Sequence, residues 1–196
     1  MKRNYVVLEG LDAAGKGTQL EKIKHLFGVI TKEPGSPASK TCMDIRSLIL
    51  DGVKKEEFTT GLLFLADANE HLTKVVKPAL DSGQSVLSDR SMLSDLAYRP
   101  NFSKVMRESV LGNFKYLKPF IIFLDVSPDI AKERMIARGK LNQYEQDEVI
   151  HRLSDLRKNY LKALAESTLD FVIVDADKSI EGVTKEIQGI FNQFIL

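Results

Sequence analysis

The chain alternates short apolar runs with longer amphipathic segments. Residues 5–8, 85–88, 120–124 and 171–174 are rich in β-branched, aromatic and other apolar side chains, and residues 28–31 form a weaker fifth run. Continuous apolar strands are typical of a parallel sheet that is covered on both faces. The pattern therefore predicts five strands of this kind.

The segments between these runs carry helical spacing. Residues 145–166 place their apolar side chains on one stripe, as expected for a helix that packs on a sheet. Further helices are predicted at residues 18–27, 44–50, 59–81, 129–137 and 179–194, with a bend at Pro78. Strands that alternate with helices predict an α/β fold with right-handed crossovers. We expect a five-stranded parallel sheet flanked by helices, in a single domain over residues 1–196.

Composition and charge narrow the class of protein. The 28 Lys+Arg and 27 Asp+Glu residues give a formal net charge of +1, which offers no global electrostatic case for a nucleic acid or an anionic membrane as partner. No apolar run approaches the roughly 20 residues of a membrane span, and the one that begins at Tyr5 ends at the charged Glu9. The single cysteine, Cys42, excludes an intramolecular disulfide. A reducing, cytoplasmic location is the expectation.

The strongest functional signal is a glycine-rich loop after the first predicted strand. It comprises Gly10, Leu11, Asp12, Ala13, Ala14, Gly15, Lys16, Gly17 and Thr18. The loop lies between a strand and a helix, the context that a phosphate-binding loop requires. Inward N–H groups and the helix N-terminus would hold phosphate oxygens, and Lys16 would reach the β- and γ-phosphates. The alternative is a glycine-rich turn without a ligand, but spacing, lysine and context together favour nucleotide binding.

The residue after the lysine departs from the general motif. That position usually carries a Ser or Thr hydroxyl that binds Mg²⁺, whereas here it is Gly17 and the hydroxyl comes at Thr18. The same Gly-Lys-Gly-Thr sequence occurs in adenylate-kinase-like enzymes. Because Mg²⁺ readily keeps several waters, we expect phosphates, waters and outer-shell groups to hold it, with Thr18 as a candidate ligand.

Further motifs follow the loop in a fixed order. They are residues 6–12, 31–35, 88–91 with Ala97-Tyr98, 122–128 and 138–141. Together they resemble the thymidylate kinase family over nearly the whole chain. The resemblance implies an enzyme that makes dTDP from dTMP, with ATP as co-substrate and Mg²⁺ as cofactor. It also implies a homodimer built from helix faces, with the helix at residues 59–81 as a candidate contributor.

The resemblance implies roles for individual residues around the acceptor nucleotide. Arg46 matches the family arginine that grips the acceptor phosphate, and Arg90 matches the one between acceptor and donor phosphates. Asp12 matches the acidic residue beside the sugar 3′-hydroxyl. Tyr98 matches the ring under the sugar, and Phe64 matches the aromatic residue that stacks on the base. Plainer alternatives stay open: a turn residue for Asp12, a solvated helix residue for Arg46, and packing for the two aromatic residues.

Acidic and neighbouring residues complete the set that the resemblance implies. Glu33 and Asp89 stand where the family keeps acidic residues near Mg²⁺ and its waters. Pro34 and Ser94 join the predicted acceptor site. Phosphoryl transfer depends on positioning and electrostatic stabilisation. Fixed charges suit it, as do arginine side chains, whose planar guanidinium groups can bind phosphate through two hydrogen bonds.

A lid segment at about residues 138–145 is predicted to close over ATP. In this family a catalytic arginine comes from the phosphate loop or from the lid. The loop has only Ala13 and Ala14 at its variable positions, whereas residues 134–140 are basic. Arg138 is therefore the first candidate and Arg134 the second, the alternative being a basic helix end that carries surface charge only.

Three departures from the family surround the acceptor base. Ala68 stands where the family has an arginine, Asp95 where a small or hydroxylic residue is usual, and Arg99 where a glutamine follows the tyrosine. Asp95 and Arg99 could replace the lost contacts to thymine, or they could shift the preference toward dGMP or dUMP. The competing predictions are thus a thymidylate kinase, a related kinase with altered base choice, and a non-catalytic nucleotide-binding module.

Overall fold

A single parallel sheet forms the centre of the fold. The computed structural model describes residues 4–101, 103–139 and 152–194. The strands are β1 (Tyr5–Gly10), β2 (Val29–Lys32), β3 (Val86–Asp89), β4 (Phe120–Asp125) and β5 (Asp170–Asp175), in the spatial order β2-β3-β1-β4-β5 with every neighbouring pair parallel. The predicted five-stranded parallel sheet is confirmed, including its weakest strand.

Burial along the strands follows their position in the sheet. All six residues of the central β1 are buried, and five of six in β4, because helices cover both faces there. The edge strand β5 instead exposes Phe171 and Ile173. The side chains of β1 and β4 therefore form the middle of the hydrophobic core.

Nine α-helices surround the sheet in the described part of the chain. They are α1 (Lys16–Ile23), α2 (Lys40–Leu50), α3 (Glu57–His71), α4 (Lys77–Asp81), α5 (Met92–Tyr98), α6 (Lys104–Tyr116), α7 (Pro128–Arg138), α8 (Leu153–Ser167) and α9 (Ile180–Phe194). The predicted helices all appear, although residues 145–151 of one of them lie outside the described residues. Helices α5 and α6 were not predicted. None of the described helices is both long and apolar enough to cross a membrane.

The long helix predicted at residues 59–81 contains an irregularity. A π-helical segment, Leu72–Val76, joins α3 to α4, and the N–H of Lys77 reaches back to the carbonyl of Leu72. Pro78 has no N–H to continue the α-helical pattern and its ring crowds the preceding turn. A π turn is wider than an α turn, and the one immediately upstream of Pro78 accommodates the proline. The helical irregularity therefore lies before Pro78.

The strand order determines where a ligand can bind. β1 lies between β3 and β4, so the chain passes to opposite sides of β1, and the crevice beyond the carboxyl ends of such strands is the usual ligand site of an open α/β sheet. The glycine-rich loop follows β1, Glu33 follows β2 and Arg90 follows β3. The topology brings these three sequence signals to one edge of the sheet.

Candidate active site

The glycine-rich loop folds tightly around the side chain of Lys16. The loop begins at Gly10, whose φ is 147° and where an added Cβ would lie 2.6 Å from the Leu124 carbonyl oxygen. Lys16 Nζ donates to the carbonyls of Gly10 and Leu11 at 3.0 and 2.8 Å. Burial, and then the positive charge of Arg90, lower the pKa of Lys16 from 10.5 to about 8. An incoming phosphate would supply the negative charge that favours the ammonium form.

Arg90 occupies the centre of the site. Its Nη2 pairs with Asp12 Oδ1, and its Nη1 donates to the Gly10 carbonyl at 3.1 Å and to Tyr160 Oη at 2.8 Å. Tyr98 Oη donates to the other Asp12 oxygen at 3.1 Å. Burial opposes the charge of Arg90, but Asp12 and the other partners raise its pKa well above the usual value. Arg90 is thus a fixed cation beside the phosphate loop.

A buried carboxylate, to which sequence reasoning assigned no role, supports the residues around Arg90. Glu9 accepts from the Ser91 amide, the Ser91 hydroxyl and the Ser94 hydroxyl, each at 2.8 Å. Burial raises its pKa, and Arg90 and the serine hydrogen bonds act in the opposite direction. Ser94 Oγ also lies 2.8 Å from Tyr160 Oη. A charged residue inside an otherwise apolar strand was the signal that could have identified Glu9.

Two pockets share Arg90 and Asp12 in their linings. The first, here called the acceptor pocket, contains every residue predicted to bind the acceptor: Asp12, Glu33, Pro34, Arg46, Phe64, Arg90, Ser94, Asp95, Tyr98 and Arg99. Ile49, Leu50 and Ser91 complete its lining. Residues as distant in sequence as Arg46 and Arg99 therefore meet in one cavity.

The second, here called the donor pocket, surrounds the phosphate loop. It is lined by loop residues 12–18, Asp89, Arg90, Arg134 and Arg138. Gly10 and Leu11, also predicted to bind ATP, do not line it but accept from Lys16. The pocket is also lined by Ala176, Lys178, Ile180 and Val183. Sequence reasoning missed these residues, because nothing in the loop after β5 or at the start of α9 resembles a nucleotide motif.

Arg46 and Gly35 are packed against each other at one side of the acceptor pocket. Arg46 Nη1 donates to the Pro34 carbonyl at 2.9 Å. Gly35 has a φ of +84°, and an added Cβ would lie 2.3 Å from Arg46 Cδ. Only glycine permits both this backbone conformation and this close approach. The Gly35 position thus allows the Arg46 side chain to lie along the loop.

Glu33 is held by a buried side-chain network. His71 Nδ1 lies 3.0 Å from Glu33 Oε2, and its Nε2 lies 2.9 Å from Thr31 Oγ1. Burial raises the pKa of Glu33, and His71 opposes that shift. On the same face of α3, one turn earlier, Asp67 accepts from the Gly35 amide at 3.0 Å. Helix α3 therefore supports the segment that carries Glu33.

The two candidate lid arginines differ in their surroundings. Arg134 Nη2 donates to the Ala176 carbonyl at 3.0 Å, and its Nη1 lies 3.5 Å from the Ala13 carbonyl oxygen. Arg138 is exposed at the carboxyl end of α7 and lines the donor pocket. Of the predicted lid at residues 138–145, all but the first two residues lie outside the described part.

Asp89, which lines the donor pocket, has a carboxylate oxygen suited to a hydrated metal ion. Asp89 Oδ1 is buried and has no hydrogen-bond partner among the described residues. In that part of the chain no group of three or more His, Cys, Asp or Glu residues converges as a metal cage. A single acidic oxygen beside a phosphate site fits Mg²⁺ held largely by phosphates and waters.

A phosphate loop after the central strand, with two pockets that share an arginine–aspartate pair, defines a phosphate-loop nucleotide-binding protein. The family model that matches the chain is that of thymidylate kinase, over residues 8–187. The thymidylate kinase of Vibrio parahaemolyticus is 31% identical over 210 residues, covering 100% of this chain and 98% of that protein. The probable thymidylate kinase of Thermococcus kodakarensis is 36% identical over 207 residues, covering 97% and 98%.

The chain belongs to the thymidylate kinase family. The resemblance inferred from the motifs is therefore confirmed, as is the fold. Membership makes the chain an enzyme, a kinase that binds nucleotides, and gives no support to a non-catalytic binding module.

Proposed function

We propose that this chain transfers the γ-phosphoryl group of ATP to the phosphate of dTMP, which yields dTDP and ADP. One observation carries the proposal: Asp12 and Arg90 line both pockets, and Arg90 Nη1 is 3.1 Å from the Gly10 carbonyl at the start of the phosphate loop. A fixed cation between two phosphate sites neutralises charge where the transferring group passes.

The donor pocket would bind the phosphates of ATP. The loop amides and the N-terminus of α1 supply donors, and Lys16 would leave its two carbonyl partners to meet the β- and γ-phosphates. Mg²⁺ would neutralise the negative charge of the phosphates. Asp89 and Glu33 would hold it mostly through water, with Thr18 as a further candidate ligand.

The acceptor pocket would orient dTMP in line with ATP. Arg46, at the Pro34 carbonyl, would bind the acceptor phosphate as a bidentate fork. Tyr98 lies against the Asp12 carboxylate and would form the wall under the sugar. Phe64 would stack on the base beside the guanidinium of Arg99, which lies over the same ring.

The lid would supply a further positive charge to the transferring group. Arg138 is the first candidate, because its exposed side chain lines the donor pocket at the carboxyl end of α7. Arg134, which donates to the Ala176 carbonyl, is the second. A lid over residues 138–145 within one domain belongs to the same proposal.

Substitution of Lys16 tests phosphoryl transfer directly. In a coupled assay with dTMP, ATP and Mg²⁺, Lys16→Ala is expected to lose nearly all turnover while its thermal melt stays cooperative. The matched control is Lys22→Ala, an exposed lysine at the last turn of α1. Near-normal turnover in folded Lys16→Ala would refute the role of the loop.

Substitution of Arg138 and Arg134 tests whether the lid supplies a further positive charge to the transferring phosphoryl group. Arginines that stabilise a transferring phosphoryl group contribute about 10³-fold or more in kcat, so Arg138→Ala is expected to lower kcat far more than it raises the KM of dTMP. Lys132→Ala, on the exposed side of α7, is the control. If Arg138→Ala and Arg134→Ala both keep most of their turnover, the lid does not supply the charge.

A homodimer through α3 is part of the proposal. Phe58 and Leu62, one turn apart on that helix, are 53% and 39% exposed, and exposed apolar side chains at such spacing favour helix–helix contact. Light scattering after gel filtration is expected to give a dimer for the wild type and for Ile173→Glu on β5, and a monomer for Leu62→Glu. A monomeric wild type would contradict the proposal.

The proposed setting is the cytoplasm. Cys42 is buried as a free thiol, which suits a reducing compartment.

A further inference from the structure

Two oppositely charged side chains at α5 form a buried pair in the wall of the acceptor pocket. Asp95 and Arg99 are one helical turn apart, and Arg99 Nη1 donates to Asp95 Oδ1 at 2.9 Å. Their exposed fractions are only 5% and 8%. A buried ion pair contributes little net stability, because desolvation of both charges offsets their attraction. Its position in a ligand pocket therefore suggests a role in recognition.

The second oxygen of Asp95 is unsatisfied. Oδ2 is buried and accepts no hydrogen bond from the described residues. A buried acceptor without a donor destabilises the folded protein, and such atoms are rare in native structures. Because Asp95 lines the acceptor pocket, an N–H group of a bound ligand would satisfy this oxygen.

Opposing effects act on the charge of Asp95. Burial raises its pKa, and the positive charges of Arg99 and Arg107 oppose that shift. The hydrogen bond from Arg99 also favours the carboxylate. The carboxylate form has no proton of its own to donate.

Arg99 is oriented by a second contact. Its Cζ lies over the ring of Phe64, 4.0 Å from the centroid, within the range of a cation–π interaction. The guanidinium is thus fixed between an aromatic ring and a carboxylate, and it has further N–H donors beyond the one that Asp95 accepts. A donor of Arg99 and an acceptor of Asp95 are presented together in the pocket.

The neighbouring polar side chains of the described pocket are already engaged. On α3, Ala68 is 1% exposed and apolar, and Asp67 is bonded to the Gly35 amide. Among the residues that line the pocket, Ser91 and Ser94 donate to Glu9, Arg46 donates to the Pro34 carbonyl and Glu33 pairs with His71.

We infer that Asp95 and Arg99 act as one unit that selects the base of the acceptor. Asp95 Oδ2 accepts the ring N–H, and Arg99 donates to the neighbouring carbonyl oxygen. The inference rests on the proposed function, since it requires an acceptor nucleotide in this pocket. Thymine, uracil and guanine present a ring N–H beside a carbonyl. Cytosine and adenine present a ring nitrogen acceptor beside an amino group. With these bases the acceptor Asp95 would face another acceptor, and the donor Arg99 would face another donor.

The test compares kcat/KM for dTMP, dUMP, dGMP, dCMP and dAMP at saturating ATP and Mg²⁺. For the wild type we expect dTMP to exceed dCMP by more than about 10³-fold, because a site built to hydrogen-bond one edge rejects a base that leaves its polar groups unpaired. In Asp95→Asn the amide can donate to the cytosine ring nitrogen, so the dTMP-to-dCMP ratio is expected to fall at least tenfold.

A second variant and a control separate recognition from folding. Arg99→Gln is expected to lower kcat/KM for dTMP about 10–100-fold and to lower that for dCMP much less. The control is Arg157→Gln, which removes an arginine that pairs with Asp125 and does not line the acceptor pocket. It is expected to leave the ratio unchanged. Thermal melts confirm that each variant is folded.

The outcomes distinguish this inference from the proposed function. Comparable use of dCMP and dTMP by the wild type would overturn the inference, whatever the variants do. A strong preference for dGMP with rejection of dCMP and dAMP would support the Asp95–Arg99 pair and overturn dTMP as the substrate. Calorimetric titration of dTMP and dCMP into the wild type gives a readout without turnover: equal affinities would refute the pair even if no acceptor were phosphorylated.

Discussion

The carboxylate of Asp67 is expected to make the stability of this protein fall as the pH rises through the acidic range. Asp67 is fully buried and accepts from the Gly35 amide at 3.0 and 3.2 Å. Burial, and then the negative charge of Glu33, raise its pKa from 3.8 to about 6. The folded state therefore keeps the proton to a higher pH than the unfolded chain does.

The sign and size of the effect follow from proton linkage. Between the two pKa values unfolding releases a proton, so each step up in pH favours the unfolded chain. The difference between 3.8 and about 6 is worth about 3 kcal/mol in total, and about 2 kcal/mol of that is lost between roughly pH 4.5 and pH 8. Above that range Asp67 is ionised in both states, so its contribution to the free energy of unfolding no longer changes with pH.

Replacement of Asp67 by asparagine isolates this contribution. The amide oxygen of the introduced side chain would still accept from Gly35, but nothing at that position would titrate. Urea unfolding of both proteins at several pH values measures the free energy of unfolding. The difference, Asp67→Asn minus wild type, is expected to increase by about 2 kcal/mol from roughly pH 4.5 to pH 8.

Asp67→Ala serves as the control. It removes the acceptor of a buried N–H and is expected to be less stable than Asp67→Asn by about 1–3 kcal/mol at every pH. A difference between Asp67→Asn and wild type that stays flat, or declines as the pH rises, would refute the reasoning.

Three further outcomes are expected at other positions. Tyr160→Phe removes one of the partners of Arg90 and should lower kcat while costing about 1–3 kcal/mol in urea unfolding; unchanged kcat would mean that Tyr160 does not position Arg90. Gly35→Ala should raise the KM of dTMP more than that of ATP, because the new Cβ collides with Arg46, and equal effects on both would contradict this. Burial raises the pKa of the Cys42 thiol to about 11, so a thiol reagent at pH 8 should modify Cys42 only in the unfolded protein, as mass spectrometry can check.

Local chemistry made much of the candidate site predictable. The loop that contains Lys16 was recognisable because glycines, a lysine and a strand-to-helix transition must occur together to bind phosphate. The strand pattern was equally clear, since strands covered on both faces must be apolar along their length. The ten predicted acceptor residues line one pocket, and that prediction depended on motifs rather than on periodicity.

Short elements and pairings across the sheet escaped sequence reasoning. Helix α5 has only seven residues, too few for a helical period to stand out, yet it carries Asp95 and ends next to Arg99. Glu9 and Tyr160 are far apart in the chain, and both approach Ser94 at 2.8 Å. Such contacts depend on which strands and helices become neighbours, which no local pattern encodes.

The sequence by itself determined the fold class, the phosphate loop and the identity of the charged groups available for phosphoryl transfer. Only the tertiary structure decided how those groups are paired. Whether Asp95 would face Arg99, a base or solvent could not be derived from its position in the chain, because a carboxylate binds whichever donor packing brings within reach. Burial removes the water that would otherwise compete for these hydrogen bonds. The surrounding side chains therefore determine which partner each charged group has.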